Sequence, residues 1–148
     1  MDFALSEEQT AIFDMAYAFG QEKIAPFAQQ WEKDGTIPKE LWREVGELGF
    51  GGLYVSEDSG GSGLTRLDAT LVFEALAMAC PSVGSFLSIH NMVGGMIDKF
   101  GSAEQKAKWL PDLTSLNKVF SYCLTEPGSG SDASALRTKA LRTNEGYT

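Results

Sequence analysis

Phe13, Tyr17, Gly20, Ile24, Phe27 and Trp31 recur every three or four positions, the spacing of one buried helix face. That pattern predicts a long opening helix, entered through a capping box in which Ser6 caps and Gln9 reaches back. Pro26 kinks or restarts it. Pro38 suits the first turn of a second helix that runs to about Leu48 and stops at Gly49. Gly51 to Val55 reads as a short apolar connector, and Ser56 to Gly63 as a Gly/Ser loop with two acids. A third helix is expected from about Arg66 to Ala79, with Leu67, Leu71, Ala75 and Ala79 in one row, broken by Pro81-Ser82. The next, about Ser82 to Lys99, is apolar or small on nearly every side and is expected to be central and buried. Ser102 to Gln105 is a second capping box opening a short helix, and Trp109 to about Leu116 predicts one more.

The period changes after Asn117. Val119 to Leu124 is a β-prone run, Leu136 to Leu141 reads as a strand with one solvated face, and Asn144-Glu145-Gly146 reads as a turn. Tyr147-Thr148 looks like the start of a further strand. The expected fold is mainly α: an all-helical domain over residues 1–118, then the first strands of an incomplete β domain over 119–148. Unpaired strand edges are a liability, so the chain is expected to be a fragment of a longer protein.

Composition narrows the function classes. A hydrophobic share of 43% with 9 Phe and 3 Trp is enough to build a core, and no run of 18 apolar residues suggests a membrane span. The start, Met1 to Glu8, has neither the apolar length of a signal peptide nor the arginines of a transit peptide. The formal net charge of -8 argues against nucleic acid as a partner. Any phosphates would have to be held locally, by loop N–H groups and a few basic residues. Cys80 and Cys123 form no Cys-x-x-Cys and no disulfide framework, and read as two buried thiols in a reducing compartment. One histidine, His90, removes any multi-histidine metal site.

The most informative stretch is Tyr122-Cys123-Leu124-Thr125-Glu126-Pro127-Gly128-Ser129-Gly130-Ser131-Asp132. A strand end, the Thr125 hydroxyl and a Gly/Ser loop able to turn its N–H groups on an anion arrive together. They suit a ligand with a flat ring at one end and a pyrophosphate at the other, such as a flavin dinucleotide; a plain strand-to-turn junction is the alternative. Glu126, held by Pro127 in a fixed turn, is expected to brace loop N–H groups or a basic partner rather than act as a base. Gly128 to Ala133 fits a loose Gly-x-Gly-x-x-Ala, but a charged alternating run comes next, where a dinucleotide fold needs a helix. Glu57 to Ser62 is similar to a serine-protease nucleophile loop, yet its flanks are helical and no histidine precedes it, so it reads as a surface turn. Arg137, Lys139 and Arg142 read as a solvated strand face, and His90 as a hydrogen-bonded core histidine.

The Tyr122 to Asp132 stretch resembles the first signature of the acyl-CoA dehydrogenase family, FAD enzymes that desaturate acyl-CoA thioesters between the α and β carbons. Leu48 to Leu53, Gly60 to Leu64, Phe100-Gly101-Ser102 with Glu104-Gln105-Lys106, and Trp109-Leu110-Pro111 resemble the family's N-terminal helical domain in the expected order. The resemblance covers essentially all of the chain. Ser88-Ile89-His90-Asn91-Met92 with Met96 to Gly101 is most similar to the isobutyryl-CoA branch. The resemblance implies that Tyr122, Leu124, Thr125, Gly130 and Ser131 lie along FAD, Thr125 at the isoalloxazine edge and Gly130 and Ser131 near the pyrophosphate. It implies that Ser131 also approaches the acyl-CoA, and that Ser88 and Met92 border the acyl cavity, with His90 as an alternative wall residue. The family's base is a glutamate in its C-terminal helical domain, so no catalytic residue and no metal is assigned here, and the chain alone is expected to be inactive. An electron-transfer flavoprotein partner, a homotetramer of the intact enzyme, a bacterial cytoplasmic or mitochondrial-matrix location, and no membrane insertion complete the expectation. A related flavin acyl-CoA oxidase and a truncated helical interaction module remain open.

Overall fold

The computed structural model describes residues 4–148; Met1 to Phe3, part of the N-terminal stretch read above, lie outside the described residues. The helices run in chain order as α1 (Glu7–Phe19), α2 (Ala28–Asp34), α3 (Lys39–Glu47), α4 (Arg66–Ala79), α5 (Pro81–Phe100) and α6 (Ala103–Thr114). β1 (Arg142–Thr143) and β2 (Gly146–Tyr147) form an antiparallel hairpin, with Arg142 opposite Tyr147 and Thr143 opposite Gly146. The protein is mainly α, as expected. Among the described residues no helix is long and apolar enough to cross a membrane.

Both expected capping boxes form. Ser6 Oγ accepts from the Gln9 N–H at 3.1 Å while Gln9 Oε1 accepts from the Ser6 N–H at 3.1 Å, and Ser102 with Gln105 repeats this at α6. Thr65 and Asp68 make a third box, and the Gln9 side-chain amide donates to Asp68 at 2.9 Å, joining the starts of α1 and α4. Each cap contributes about 1 kcal/mol. Near Pro26 the helix loosens: the Ala25 N–H donates to Gly20 O, five residues back, at 2.9 Å, and α2 restarts at Ala28. A proline has no N–H and its ring crowds the carbonyl four residues back, so a widened turn relieves the strain.

The buried faces differ from the expected rows. On the first helical stretch Ala16, Gly20 and Ile24 are buried, whereas Tyr17 and Phe27 are exposed. A Cβ on Gly20 would lie 3.2 Å from Ala79 Cβ, so only small residues fit where this stretch meets α4. The rings of this face form stacked pairs, Phe13 on Tyr17 at 6.1 Å and Phe27 on Trp31 at 5.9 Å. On α4 Leu71 and Ala75 of the expected row are buried, together with Ala69, Val72 and Leu76, because α4 lies between α1 and α5; Leu67 points outward. α5 is central but not covered all round: Leu87, His90, Asn91 and Gly94 are buried, while Ile89, Met96 and Phe100 are exposed. One helix, α6, replaces the two expected after Ser102. Pro111 falls in its last turn, where the missing N–H breaks few bonds, and buried Leu110 and Leu113 hold the helix on both sides.

The chain leaves α6 through Leu116, a non-glycine residue with φ of 55°. Its side chain is buried, which holds the left-handed backbone in place. Room for this turn comes from two glycines: a Cβ on Gly46 would stand 2.2 Å from Ser115 O, and one on Gly51 would stand 2.3 Å from Thr114 O. The backbone then returns toward α5.

Beyond Leu116 the expected strands are largely replaced by unpaired extended chain. Val119 to Leu124 forms no ladder among the described residues, and Leu136 to Leu141 is not a strand. Only Leu141, exchanging two backbone hydrogen bonds with Thr148 at 2.9 and 3.0 Å, extends the hairpin, whose turn is at Asn144-Glu145. A strand's N–H and C=O groups need a neighbouring strand, and a β-prone sequence does not supply one. Cys80 is buried as expected; Cys123, expected to be buried, is exposed because it lies on this unpaired stretch.

Candidate functional site

Three buried or half-buried polar groups on α5 organise the surroundings. Asn91 accepts from the Leu53 N–H at 2.7 Å and donates to Phe50 O at 2.8 Å and Leu87 O at 3.1 Å, which fixes the connector between α3 and α4. Asp98 accepts from the Ser56 N–H at 3.0 Å, Ser56 Oγ at 3.1 Å and Ser59 Oγ at 2.7 Å, with Lys106 Nζ at 3.4 Å. Burial raises its pKa, but the hydrogen bonds from Ser59 and Ser56 and the Lys106 charge outweigh that and take it down to about 2. The Ser56 to Gly63 loop is therefore a pinned surface turn. Sequence reading missed both hubs; the available signal was an amide and a carboxylate set into an otherwise apolar helix.

His90 is the third. It is fully buried, with Nε2 2.9 Å from Leu113 O and Nδ1 accepting from the Phe120 N–H at 3.1 Å. Burial holds its pKa below the ordinary histidine value, against the Leu113 carbonyl, which raises it. The expectation of a hydrogen-bonded core histidine is met. Through this contact α5 holds the start of the Phe120 to Ser131 stretch. Phe120 then packs edge-on against Trp109 at 6.2 Å.

Tyr122 comes to lie beside α5 and α6. With Val93, Met96, Ile97, Phe100 and Trp109 it lines an open groove of about 460 Å³ whose walls are almost wholly hydrocarbon and aromatic. Such a surface takes apolar matter and offers a phosphate nothing. Ser88 sits elsewhere, in a shallow depression of about 440 Å³ between α4 and α5 with Phe73, Gly84 and Ser85. Its hydroxyl donates to Ser85 O at 2.8 Å. Met92 is half-buried on the same helix and lines neither hollow.

Leu124, Thr125, Gly130 and Ser131 are exposed. They lie along a loop with its own internal order. Glu126 and Ser129 exchange backbone hydrogen bonds at 3.0 and 3.1 Å, closing a tight turn around Pro127-Gly128, and Ser129 Oγ donates to Asp132 O at 2.6 Å. The Glu126 carboxylate accepts from the Arg137 N–H at 2.9 Å, the Thr138 N–H at 2.8 Å and the Thr138 hydroxyl. These contacts, the Thr138 hydroxyl foremost, lower its pKa. It braces loop N–H groups, as expected, and is not poised to take a proton. Among the described residues the Thr125 hydroxyl and the backbone N–H groups of Gly128, Gly130 and Ser131 have no hydrogen-bond partner. No heavy atom lies within 4 Å of the Cβ that Gly128 or Gly130 lacks. One exposed edge thus carries unspent donors beside an open approach, which fits the requirements of an anion and a flat heterocycle. The geometry does not bring Ser88 and Met92 together with this edge in one hollow. Among the described residues no three His, Cys, Asp or Glu side chains are grouped to hold a metal ion.

Residues 6–117 match the family model for the acyl-CoA dehydrogenase N-terminal domain. The chain is 54% identical over 143 residues to mitochondrial isobutyryl-CoA dehydrogenase of Dictyostelium discoideum, covering 97% of this chain and 34% of that protein. Its fold superposes on butyryl-CoA dehydrogenase from Megasphaera elsdenii with a TM-score of 0.87 at 36% identity, covering 99% of this chain and 40% of the other. A glutaryl-CoA dehydrogenase from Mycobacterium smegmatis in complex with FADH2 matches with a TM-score of 0.88 at 29% identity, over 95% of this chain and 36% of that one. The chain thus spans about a third of the length of the curated relatives it matches.

Proposed function

The chain belongs to the acyl-CoA dehydrogenase family through its N-terminal domain, and from that premise we propose that its parent protein is an FAD-dependent dehydrogenase of a short branched acyl-CoA such as isobutyryl-CoA. The identity of 54% to a relative named for isobutyryl-CoA carries the reading. The edge from Thr125 to Ser131 supports it, because its donors are unspent and its approach is open. When bound, FAD supplies the hydride acceptor for removing hydrogen from the β carbon.

This chain's own part is to position. The Thr125 hydroxyl meets the polar rim of the isoalloxazine, with Tyr122 and Leu124 packing beside it. The N–H groups of Gly130 and Ser131 hold the pyrophosphate, where local donors are needed because the chain carries a net charge of -8. The resemblance further implies that Ser131 lies toward the acyl-CoA and that Ser88 and Met92 border the acyl cavity from α5, a cavity whose remaining walls come from beyond these residues. Residues 1–118 are the helical domain and 119–148 open a β domain that needs further strands. Family membership implies that the α-proton is taken by a glutamate beyond these residues, and Glu126 for its part is committed to Arg137 and Thr138. Electrons leave to an electron-transfer flavoprotein, and the intact enzyme is a homotetramer.

The test is the visible spectrum of the purified parent protein. A yellow protein that bleaches anaerobically with isobutyryl-CoA is expected. A parent that stays colourless after incubation with FAD overturns the reading; one that is yellow but bleaches only with other acyl-CoAs overturns the choice of substrate.

A further inference from the structure

We propose that His90 is a positioning residue for the flavin edge: its neutral imidazole, bonded at both nitrogens, fixes where and at what angle Tyr122 to Thr125 leave the helical body. The proposal rests on the flavin reading above and goes beyond it, since it assigns the edge's placement to a side chain that touches neither flavin nor substrate.

The two partners of the ring set its protonation. A carbonyl only accepts and an amide N–H only donates. With Leu113 O at Nε2 and the Phe120 N–H at Nδ1, the ring must carry its proton on Nε2 and none on Nδ1. The tautomer is thus dictated by the two elements it joins. The ring is also clamped sideways, near-parallel to Phe86 at 6.5 Å and edge-on to Phe120 at 5.9 Å. On the other side of Phe120 the link to α6 is closed by Lys118, whose N–H donates to Asp112 O at 3.1 Å and whose Nζ pairs with Asp112 at 2.6 Å. Phe120 is therefore held from both directions.

The chain after Phe120 is held by little else. Among the described residues Ser121 to Thr125 make no hydrogen bond, and the next fixed point is the Glu126–Ser129 turn. The extended run to Thr125 is short, about 3.3 Å per residue, so an error of direction at Phe120 carries directly to the Thr125 hydroxyl. Loss of one orienting contact of this kind is enough to misplace a hydrogen-bonding group by the fraction of an ångström that matters.

Protonation supplies the converse. Adding a proton to Nδ1 turns an acceptor into a donor facing the Phe120 N–H, and the pin fails. Among the described residues no charged side chain faces the ring from the elements packed against it. The ring faces Phe86 on α5, the Leu113 carbonyl on α6 and Phe120, while Asp98 on α5 is paired with Lys106 and Asp112 on α6 with Lys118. Flavin affinity should therefore hold at neutral pH and fall on acidification below the ordinary histidine range.

The experiment is FAD affinity of the parent protein between about pH 5 and 8, for the natural sequence, His90→Leu and His90→Gln, with amide exchange at Phe120 measured alongside. Expected are FAD binding weakened about tenfold in H90L, the loss of one orienting hydrogen bond, and faster exchange at Phe120. H90Q, which keeps an uncharged acceptor, should recover part of the affinity and give a flat pH profile, whereas the natural protein loses affinity in acid. Flavin affinity that is unchanged in H90L, or that shows the same acid loss in H90Q, overturns the role of His90 alone. A parent that takes up no FAD at any pH overturns the flavin reading and this role with it.

Discussion

The stretch from Ser6 to Leu116 supplies every buried apolar side chain among the described residues; from Lys118 to Thr148 one residue, Ser129, is buried. Both regions carry sequence patterns that predict regular structure, yet only the first forms it extensively. A helix closes its own backbone bonds and needs tertiary contacts only for its apolar face. An extended run leaves every N–H and C=O to be met by something else. In the second region the few partners are particular, among them Asp112 for Lys118, His90 for Phe120, the Glu126–Ser129 turn, Glu126 for Arg137 and Thr138, and the hairpin for Leu141 to Thr148. The residues proposed to meet FAD lie between these anchors, on the part whose own backbone is least committed.

The sharpest way to break this contrast is to attack the helical body at a buried polar hub. Asn91→Leu keeps the branched shape but strands the Leu53 N–H and the Phe50 carbonyl, and should cost about 3 kcal/mol of unfolding free energy. Urea denaturation of the chain reads this. A loss below about 1 kcal/mol would mean that apolar packing, not Asn91, holds the connector.

A smaller effect is expected at Asp98, and it depends on pH. Its folded pKa of about 2 lies below its ordinary value of 3.8, so the folded state binds fewer protons there than the unfolded state. The resulting stability is present above about pH 4 and is lost as pH falls from about 4 toward 2, and amounts to about 2 kcal/mol. Asp98→Asn should remove that slope, leaving stability in this window governed by the other carboxylates. Melting temperatures of both proteins across the window decide it, and parallel curves would sink the assignment.

The least costly change to the whole, and the most local, is Glu126→Gln. The global unfolding midpoint should stay where it is, because the brace lies outside the core. Amide exchange at Arg137 and Thr138 should quicken as the charge-assisted acceptor is lost. The lowered pKa of Glu126 predicts the same loosening as the natural protein is acidified through and below the carboxylate range. Equal slowing or quickening across α4 and α5 would instead make the two regions one cooperative unit.

Much of the helical body was legible along the chain. Ser6, Ser102, Pro38 and Gly49 marked helix ends because caps and breakers act within one turn, and the stretch from Arg66 to Ala79 matched its helix. Which side of each helix is buried was less legible. Tyr17, Phe27 and Leu67 looked like core by period, but close helix contacts admit only small residues such as Ala16 and Gly20. For the candidate site, the order of residue types from Tyr122 to Ser131 was readable, as was the bracing role of Glu126. The pins that hold this stretch were not, since His90 and Phe120 are 30 residues apart.

The sequence by itself determined the helix order, the capping, the turn chemistry and the family, because each depends on residues close in the chain or on their linear succession. The tertiary structure alone decided the left-handed exit at Leu116, the tautomer of His90, the depressed pKa of Asp98 and the absence of pairing at Val119 to Leu124 among the described residues. Those depend on which distant groups meet, and a hydrogen bond's value is set by its partner and by the exclusion of water around it.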